Sequence, residues 1–205
     1  MNLNVFKNTN FSIGLLGGSF NPPHFGHLFI TNQLINKLNL DYVWWILTPK
    51  NPLKESKDLM RFEERMLACQ KITAQNPKII VTDLEYKLNN SITYETLNYI
   101  FKNYGGNNFV FIIGADNLAN FHLWHHWQDI WQKIKIVVYG RKNYQHKSLK
   151  SEAAIKFGKY RVTSYNDFKE KKPPCWIMTH GELINISSTQ LRKKALNDKE
   201  KETRR

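Results

Sequence analysis

A short apolar run, SIGLL at residues 12–16, stops at Gly17-Gly18 and is followed from Gly26 by a helical pattern. The run reads as a buried strand ended by a turn. Apolar residues then recur at Leu28, Ile30, Leu34, Ile35 and Leu38, the spacing of a helix with one buried face. The unit repeats. Tyr42–Leu47 (YVWWIL) reads as a second strand, with Pro49 and Pro52 in the loop behind it, and residues 60–74 as a helix with Met60, Met66, Leu67 and Ile72 among its apolar positions. Ile79–Thr82 is a third strand, 93–104 a helix, Asn108–Ile113 a fourth strand before Gly114, 125–133 helical, and Lys135–Tyr139 a fifth strand. Strands alternating with helices imply right-handed βαβ units and a parallel sheet.

The remainder reads less regularly. Residues 143–175 are polar and lysine-rich with weak periodicity, and are expected to be an insertion or a loosely ordered flank. Trp176–His180 is a further strand, 188–196 a short helix, and 197–205 a charged tail, all within one domain spanning residues 1–205.

Hydrophobic content of 41% with 23% charged residues is compatible with a packed core. No apolar run approaches the roughly 20 residues needed to span a bilayer. The opening MNLNVFKNTNF is too polar for a signal peptide, so the cytoplasm is the expected compartment. The two cysteines, Cys69 and Cys175, form no CxxC and suggest neither a disulfide framework nor a metal cluster. Cys69 lies in a helical pattern as a small buried residue.

The net charge of +13 is uneven: residues 1–140 carry +3 and residues 141–205 carry +10. Such asymmetry suits nucleic acid or an enzyme with anionic substrates. The lysines are scattered and no aromatic-basic repeat accompanies them, which favours the second.

Gly17-Gly-Ser-Phe-Asn-Pro-Pro-His-Phe-Gly-His27 sits where doubly wound sheets bind nucleotides, after the first strand and at the mouth of the first helix. Two glycines let the backbone turn and approach a ligand. The helix start offers free N–H groups and the positive end of its dipole to phosphate. His24 and His27, three apart, face one way and can donate to phosphoryl oxygens as charge builds. Near the other end, Ile186-Ser-Ser-Thr-Gln-Leu-Arg192 combines N-cap hydroxyls (Ser187, Ser188, Thr189) with an arginine one turn on, a second anion seat.

His24-Phe25-Gly26-His27 resembles the HxGH signature of the nucleotidyltransferase superfamily. The longer GGSFNPPHFGHL resembles the opening of bacterial nicotinate-nucleotide adenylyltransferases, and 186–192 resembles their ISSTxxR motif. The resemblance covers nearly the whole chain and is weakest over 143–175. It implies an α/β, Rossmann-like doubly wound parallel sheet in a single nucleotidyltransferase domain. It implies ATP bound by Gly17, Gly18, Ser19, Phe20, His24, His27, Gly114, Asp116, Ile186, Ser187, Ser188, Thr189 and Arg192, with His24, His27 and Arg192 catalytic. On the other substrate's side it implies Lys50, Asn51 and Lys54 at the mononucleotide phosphate, Thr93 and Asp116 beside them, Trp124 stacked on the pyridine ring, and Arg141 after the fifth strand.

The expected reaction joins ATP to nicotinate mononucleotide and releases pyrophosphate and deamido-NAD. The 5′-phosphate is already ionised, so positioning and electrostatics suffice, without a covalent intermediate or a general base. Mg²⁺ is expected to be held mainly by the ATP phosphates, since no carboxylate cluster is evident and no protein metal ligand is assigned. Expected partners are these two small molecules, with no membrane and no nucleic acid; a homo-oligomer is compatible with the sequence. The alternatives are a sister adenylyltransferase acting on nicotinamide mononucleotide or phosphopantetheine, and an RNA-binding protein on a nucleotidyltransferase-like fold. His24, in place of the threonine of TxGH, argues against phosphopantetheine.

Overall fold

The computed structural model describes residues 3–50, 59–140 and 145–180, without the side chains of residues 145, 146 and 180. After a 3-10 turn at Leu3–Phe6 come β1 (Ser12–Gly18), α1 (Phe25–Leu38), β2 (Tyr42–Leu47), α2 (Phe62–Thr73), β3 (Ile79–Thr82), α3 (Leu84–Lys87), α4 (Thr93–Tyr104) and β4 (Asn108–Gly114). They are followed by α5 (Ala115–Ala119), α6 (Trp127–Lys133), β5 (Lys135–Gly140), α7 (Gln145–Leu149), α8 (Glu152–Lys156), β6 (Arg161–Val162), α9 (Tyr165–Glu170) and β7 (Trp176–His180). The strands form one sheet in the order β3-β2-β1-β4-β5-β7-β6, and every pairing is parallel. This is the parallel sheet expected from the alternating pattern, in the doubly wound arrangement that the resemblance implied. Its order reverses between β1 and β4, the place where such sheets hold ligands.

Helices cover both faces, so the strands are apolar on both sides. One face buries Ile13, Leu15, Trp44, Phe111, Trp131 and Trp176; the other buries Leu34, Val43, Trp45, Ile112, Val137 and Ile177. No helix among the described residues is long and apolar enough to cross a membrane. Cys69 is fully buried, and burial pushes its thiol up to about 12, so it packs as an inert protonated group.

One expectation is corrected. Residues 145–175 are not a loose flank: they fold into α7, α8, β6 and α9 and bury Ala153, Ala154, Phe157, Val162 and Phe168 against the sheet. These elements have two to six residues, too short for a periodicity to show. In α2 the buried stripe is Arg65, Cys69 and Thr73, while Leu67 is 65% exposed. An arginine on a buried face defeats a pattern that counts apolar residues.

A buried carboxyl lies near the carboxyl end of β2. Helix α3 packs on β2 and turns Glu85 inward until it is 5% exposed. Its Oε1 accepts from Thr96 Oγ1 of α4 at 3.3 Å, and its Oε2 has no partner with hydrogen-bond geometry among the described residues. Burial raises this carboxyl to about 7, against an ordinary value of 4.5, with the Thr48 and Thr96 side chains pulling the other way.

Between those values the folded chain holds a proton that the unfolded chain has released. The stabilisation is therefore complete below pH 4.5 and is lost as pH rises through 7. At about 1.4 kcal/mol per unit, its full size is roughly 3 kcal/mol. Glu85→Gln keeps the shape of the protonated acid and removes the titration. Between pH 5 and pH 8 the variant should gain about 2–3 kcal/mol on wild type in denaturant unfolding. A wild-type-to-variant difference that does not change with pH would show that Glu85 is not held neutral by the fold.

Candidate nucleotide-binding site

Because every strand runs the same way, the ends of β1, β2, β4, β5 and β7 meet at one edge of the sheet. The first motif lies at the end of β1. Gly17 and Gly18 are still strand residues and neither has positive φ, so the sharp turn assigned to them falls instead at Phe20, with φ 44°. A Cβ on Gly17 would meet nothing within 4 Å, so this strand end opens into space. Phe20 itself is buried and stacks on Trp45 of β2 with ring centroids 4.7 Å apart.

The two histidines start α1. His24 is the N-cap residue, in extended conformation, and its Nδ1 accepts from the Gly26 N–H at 3.1 Å. One turn in, His27 Nδ1 accepts from the His24 N–H at 3.2 Å. The pair closes a capping box with imidazoles in the roles usually taken by serine and glutamate. An Nδ1 that accepts carries no proton, so these hydrogen bonds assign the N–H of each ring to Nε2. The rings stack 3.8 Å apart, and Phe20 packs edge-on against His27 at 5.1 Å. Below them, Trp45 Nε1 donates to Thr31 Oγ1, which donates to the His27 carbonyl, both at 2.9 Å. Capping, stacking and the hydrogen-bond chain together hold two Nε2–H donors in one place at a helix N-terminus.

The loop after β2 is tied to this motif. Thr48 N–H donates to the Gly18 carbonyl at 3.0 Å. Arg65, 1% exposed, reaches up from α2 between them: Nη1 donates to the carbonyls of Ser19 (2.7 Å) and Thr48 (2.8 Å), Nη2 to Pro49 (2.9 Å), and Nε to Met60 (3.1 Å). The sequence reading missed Arg65 and Glu85. The available signal was a charged residue spaced four and eight before Cys69 and Thr73 on one helix face.

Lys50 is exposed and, with Pro49, Tyr86, Asn89, Asn90 and Ser91, lines a cleft of about 470 Å³. The cleft joins the loop after β2 to the start of α4. There Thr93 is the first helical residue, and the N-cap position belongs to Ile92, without a side-chain cap. Neither Ser91 nor Thr93 occupies the N-cap position.

At the end of β4, Gly114 is the N-cap of α5 and Asp116 lies exposed in its first turn. A Cβ on Gly114 would collide with Asp116 Oδ1, so the glycine makes room for the carboxylate. Trp124 is half-buried, with one face stacked on Phe121 at 4.6 Å and an edge contact to Phe111 at 6.2 Å. Nearby, His126 stacks on Tyr94 and bonds Asp129 Oδ2 at 2.9 Å. Among the described residues no three His, Cys, Asp or Glu side chains are grouped as a metal site.

Asn51, Lys54, Arg141, Ile186, Ser187, Ser188, Thr189 and Arg192 lie outside the described residues. A larger cleft of about 700 Å³ opens at the opposite edge, among Ser12, Asn108 and Lys135 at the starts of their strands. None of the candidate residues lines it.

The family model described as cytidylyltransferase-like matches residues 15–194. A Bradyrhizobium sp. (strain ORS 278) protein named "Probable nicotinate-nucleotide adenylyltransferase" is 39% identical over 182 residues, 88% of this chain and 94% of that protein. A Brucella suis biovar 1 (strain 1330) protein of the same name is 39% identical over 184 residues, 89% and 94% of the two chains. Among solved structures, the Plasmodium falciparum nicotinic acid mononucleotide adenylyltransferase complexed with NaAD superposes with a TM-score of 0.68. It covers 90% of this chain and 83% of its own at 20% identity, a likeness of fold. The relatives are matched over nearly their whole length, and the chain belongs to the cytidylyltransferase-like family and, within it, to the nicotinate-nucleotide adenylyltransferases.

Proposed function

We propose that the chain transfers the adenylyl group of ATP to nicotinate mononucleotide, releasing pyrophosphate and deamido-NAD. The observation that carries this reading is the stacked His24–His27 pair capping α1 at the carboxyl edge of β1. A mononucleotide phosphate oxygen attacks the α-phosphorus of ATP. The bond from that phosphorus to the α,β-bridging oxygen breaks, and the electron pair leaves with pyrophosphate. In this reading His24 and His27 donate from Nε2 to the phosphoryl oxygens, and Arg192 stabilises the charge that moves. Such fixed donors act on developing charge without reorganising at the moment of reaction. Mg²⁺ would enter with ATP, its ligands mainly triphosphate oxygens and water, and would neutralise charge on the leaving group.

On the second substrate, Lys50 with Asn51 and Lys54 would hold the phosphate, and Trp124 would offer the ring face that Phe121 does not cover. The start of α4 has N–H groups and the Thr93 hydroxyl to offer the nicotinate carboxylate, favoured by the helix dipole. Arg141 and Asp116 complete the proposed set.

The primary test is pyrophosphate release with ATP, Mg²⁺ and a panel of mononucleotides and phosphopantetheine. Turnover with nicotinate mononucleotide is expected, and turnover with phosphopantetheine alone would overturn the reading. His27→Ala should lower kcat by about 10²–10³ with a smaller change in KM for ATP. Loss of its capping bond should also lower stability by about 1 kcal/mol. An unchanged kcat removes His27 from the mechanism. Nicotinate and nicotinamide have nearly the same shape, so polar groups must tell them apart. Trp124→Ala should weaken both mononucleotides alike, whereas Thr93→Ala should weaken nicotinate mononucleotide more. If kcat/KM shows the reverse pattern, the carboxylate is placed wrongly and the loop at Lys50 becomes its site.

A further inference from the structure

Arg65 is a buried cation with no carboxylate within ion-pair distance among the described residues; its hydrogen-bond partners are carbonyl oxygens. Four of its five N–H donors are engaged by main-chain acceptors from three separate stretches: Ser19 after β1, Thr48 and Pro49 after β2, and Met60 before α2. A guanidinium satisfied in this way has little freedom, because its donors form one rigid planar fork. Its hydrogen bonds therefore fix the relative positions of the stretches that accept them. Beside it, Asn21 Oδ1 accepts from the Met60 N–H at 3.1 Å, a second tie between the first and third stretches. The Phe62 ring lies under the guanidinium at 5.4 Å from its carbon.

The first stretch belongs to the motif read as the ATP seat. The second and third bracket residues 50–59, which include Lys50 and the other residues read as holding the mononucleotide phosphate. We propose that Arg65, assisted by Asn21, is a positioning residue that sets the distance between the loop read as the ATP seat and the described ends, Thr48–Pro49 and Met60, of the stretch read as holding the mononucleotide phosphate. It touches neither substrate. Its effect is on the attack geometry, in which a misplacement of about 1 Å can cost about 10²-fold in rate. The fork explains why lysine would not serve: a single ammonium cannot reach acceptors spread over three stretches.

The inference rests on the adenylyl-transfer reading, and the test separates the two. Wild type, Arg65→Lys and Asn21→Ala are purified as full chains. For each, Kd is measured for ATP alone and for nicotinate mononucleotide alone, together with kcat at saturation. The unfolding midpoint is measured too, and the assays are run well below it. The expected result is a roughly 10²-fold lower kcat in Arg65→Lys and a smaller loss in Asn21→Ala, with each separate Kd within about threefold of wild type. A residue that merely held the fold would instead change activity in proportion to the folded fraction and leave kcat per folded molecule unchanged; that outcome overturns the proposal. If Arg65→Lys does not fold, Asn21→Ala decides, and wild-type kcat there overturns the proposal. A wild type that releases no pyrophosphate from nicotinate mononucleotide overturns the functional reading, and this inference with it. An active wild type beside an equally active Arg65→Lys overturns the inference alone.

Discussion

Strand β1 pairs in parallel with β2 on one side and with β4 on the other, and the site depends on that double pairing. Parallel strands place all their carboxyl ends on one edge. The chain leaves β1 through the histidine motif, β2 through the loop of Thr48–Lys50, and β4 through Gly114 and Asp116. Residues far apart in sequence share one edge of the sheet for this reason. The helix after β1 packs on one face of the sheet and the helix after β4 on the other, and such a reversal leaves a crevice between the two strand ends.

Polar groups inside the molecule are handled in two ways. Arg65 is almost fully satisfied: its carbonyl partners offset the loss of water around a charge whose solvation burial would otherwise remove. Burial still pulls its pKa below the ordinary value, with Cys69 and Glu63 acting against the shift. Glu85 is only partly satisfied, and the fold meets that deficit by favouring the protonated acid. Both groups lie near the carboxyl end of β2. The interior under the site is thus polar and held by hydrogen bonds, while the sheet farther in is packed with Trp, Ile and Val.

The histidine cap joins local folding to chemistry. A helix N-terminus needs acceptors for its free N–H groups, and here the residues that supply them are those read as donors to phosphate. Using Nδ1 for the cap leaves the N–H on Nε2, so one arrangement meets both demands. Neutral rings suffice for the role, since a donor needs an N–H and not a charge.

The sequence by itself determined the alternation of strands and helices, the parallel sheet, and the glycine-histidine motif at the mouth of α1. Apolar periodicity and glycine-histidine spacing are local signals, each contained in one stretch of chain. Only the tertiary structure decided the burial of Arg65 and Glu85, the turn at Phe20 in place of the glycines, the uncapped start of α4, and the packing of residues 145–175. Each of these depends on partners distant in sequence. Arg65 reads as a surface charge until carbonyls from the ends of β1 and β2 converge on it. Glu85 reads as one until Thr96 and the end of β2 enclose it. Short elements such as β6 show no period of their own and form because β7 offers an edge to pair with. A one-dimensional pattern records what a residue prefers, and the folded chain decides which residues must depart from that preference to hold the site together.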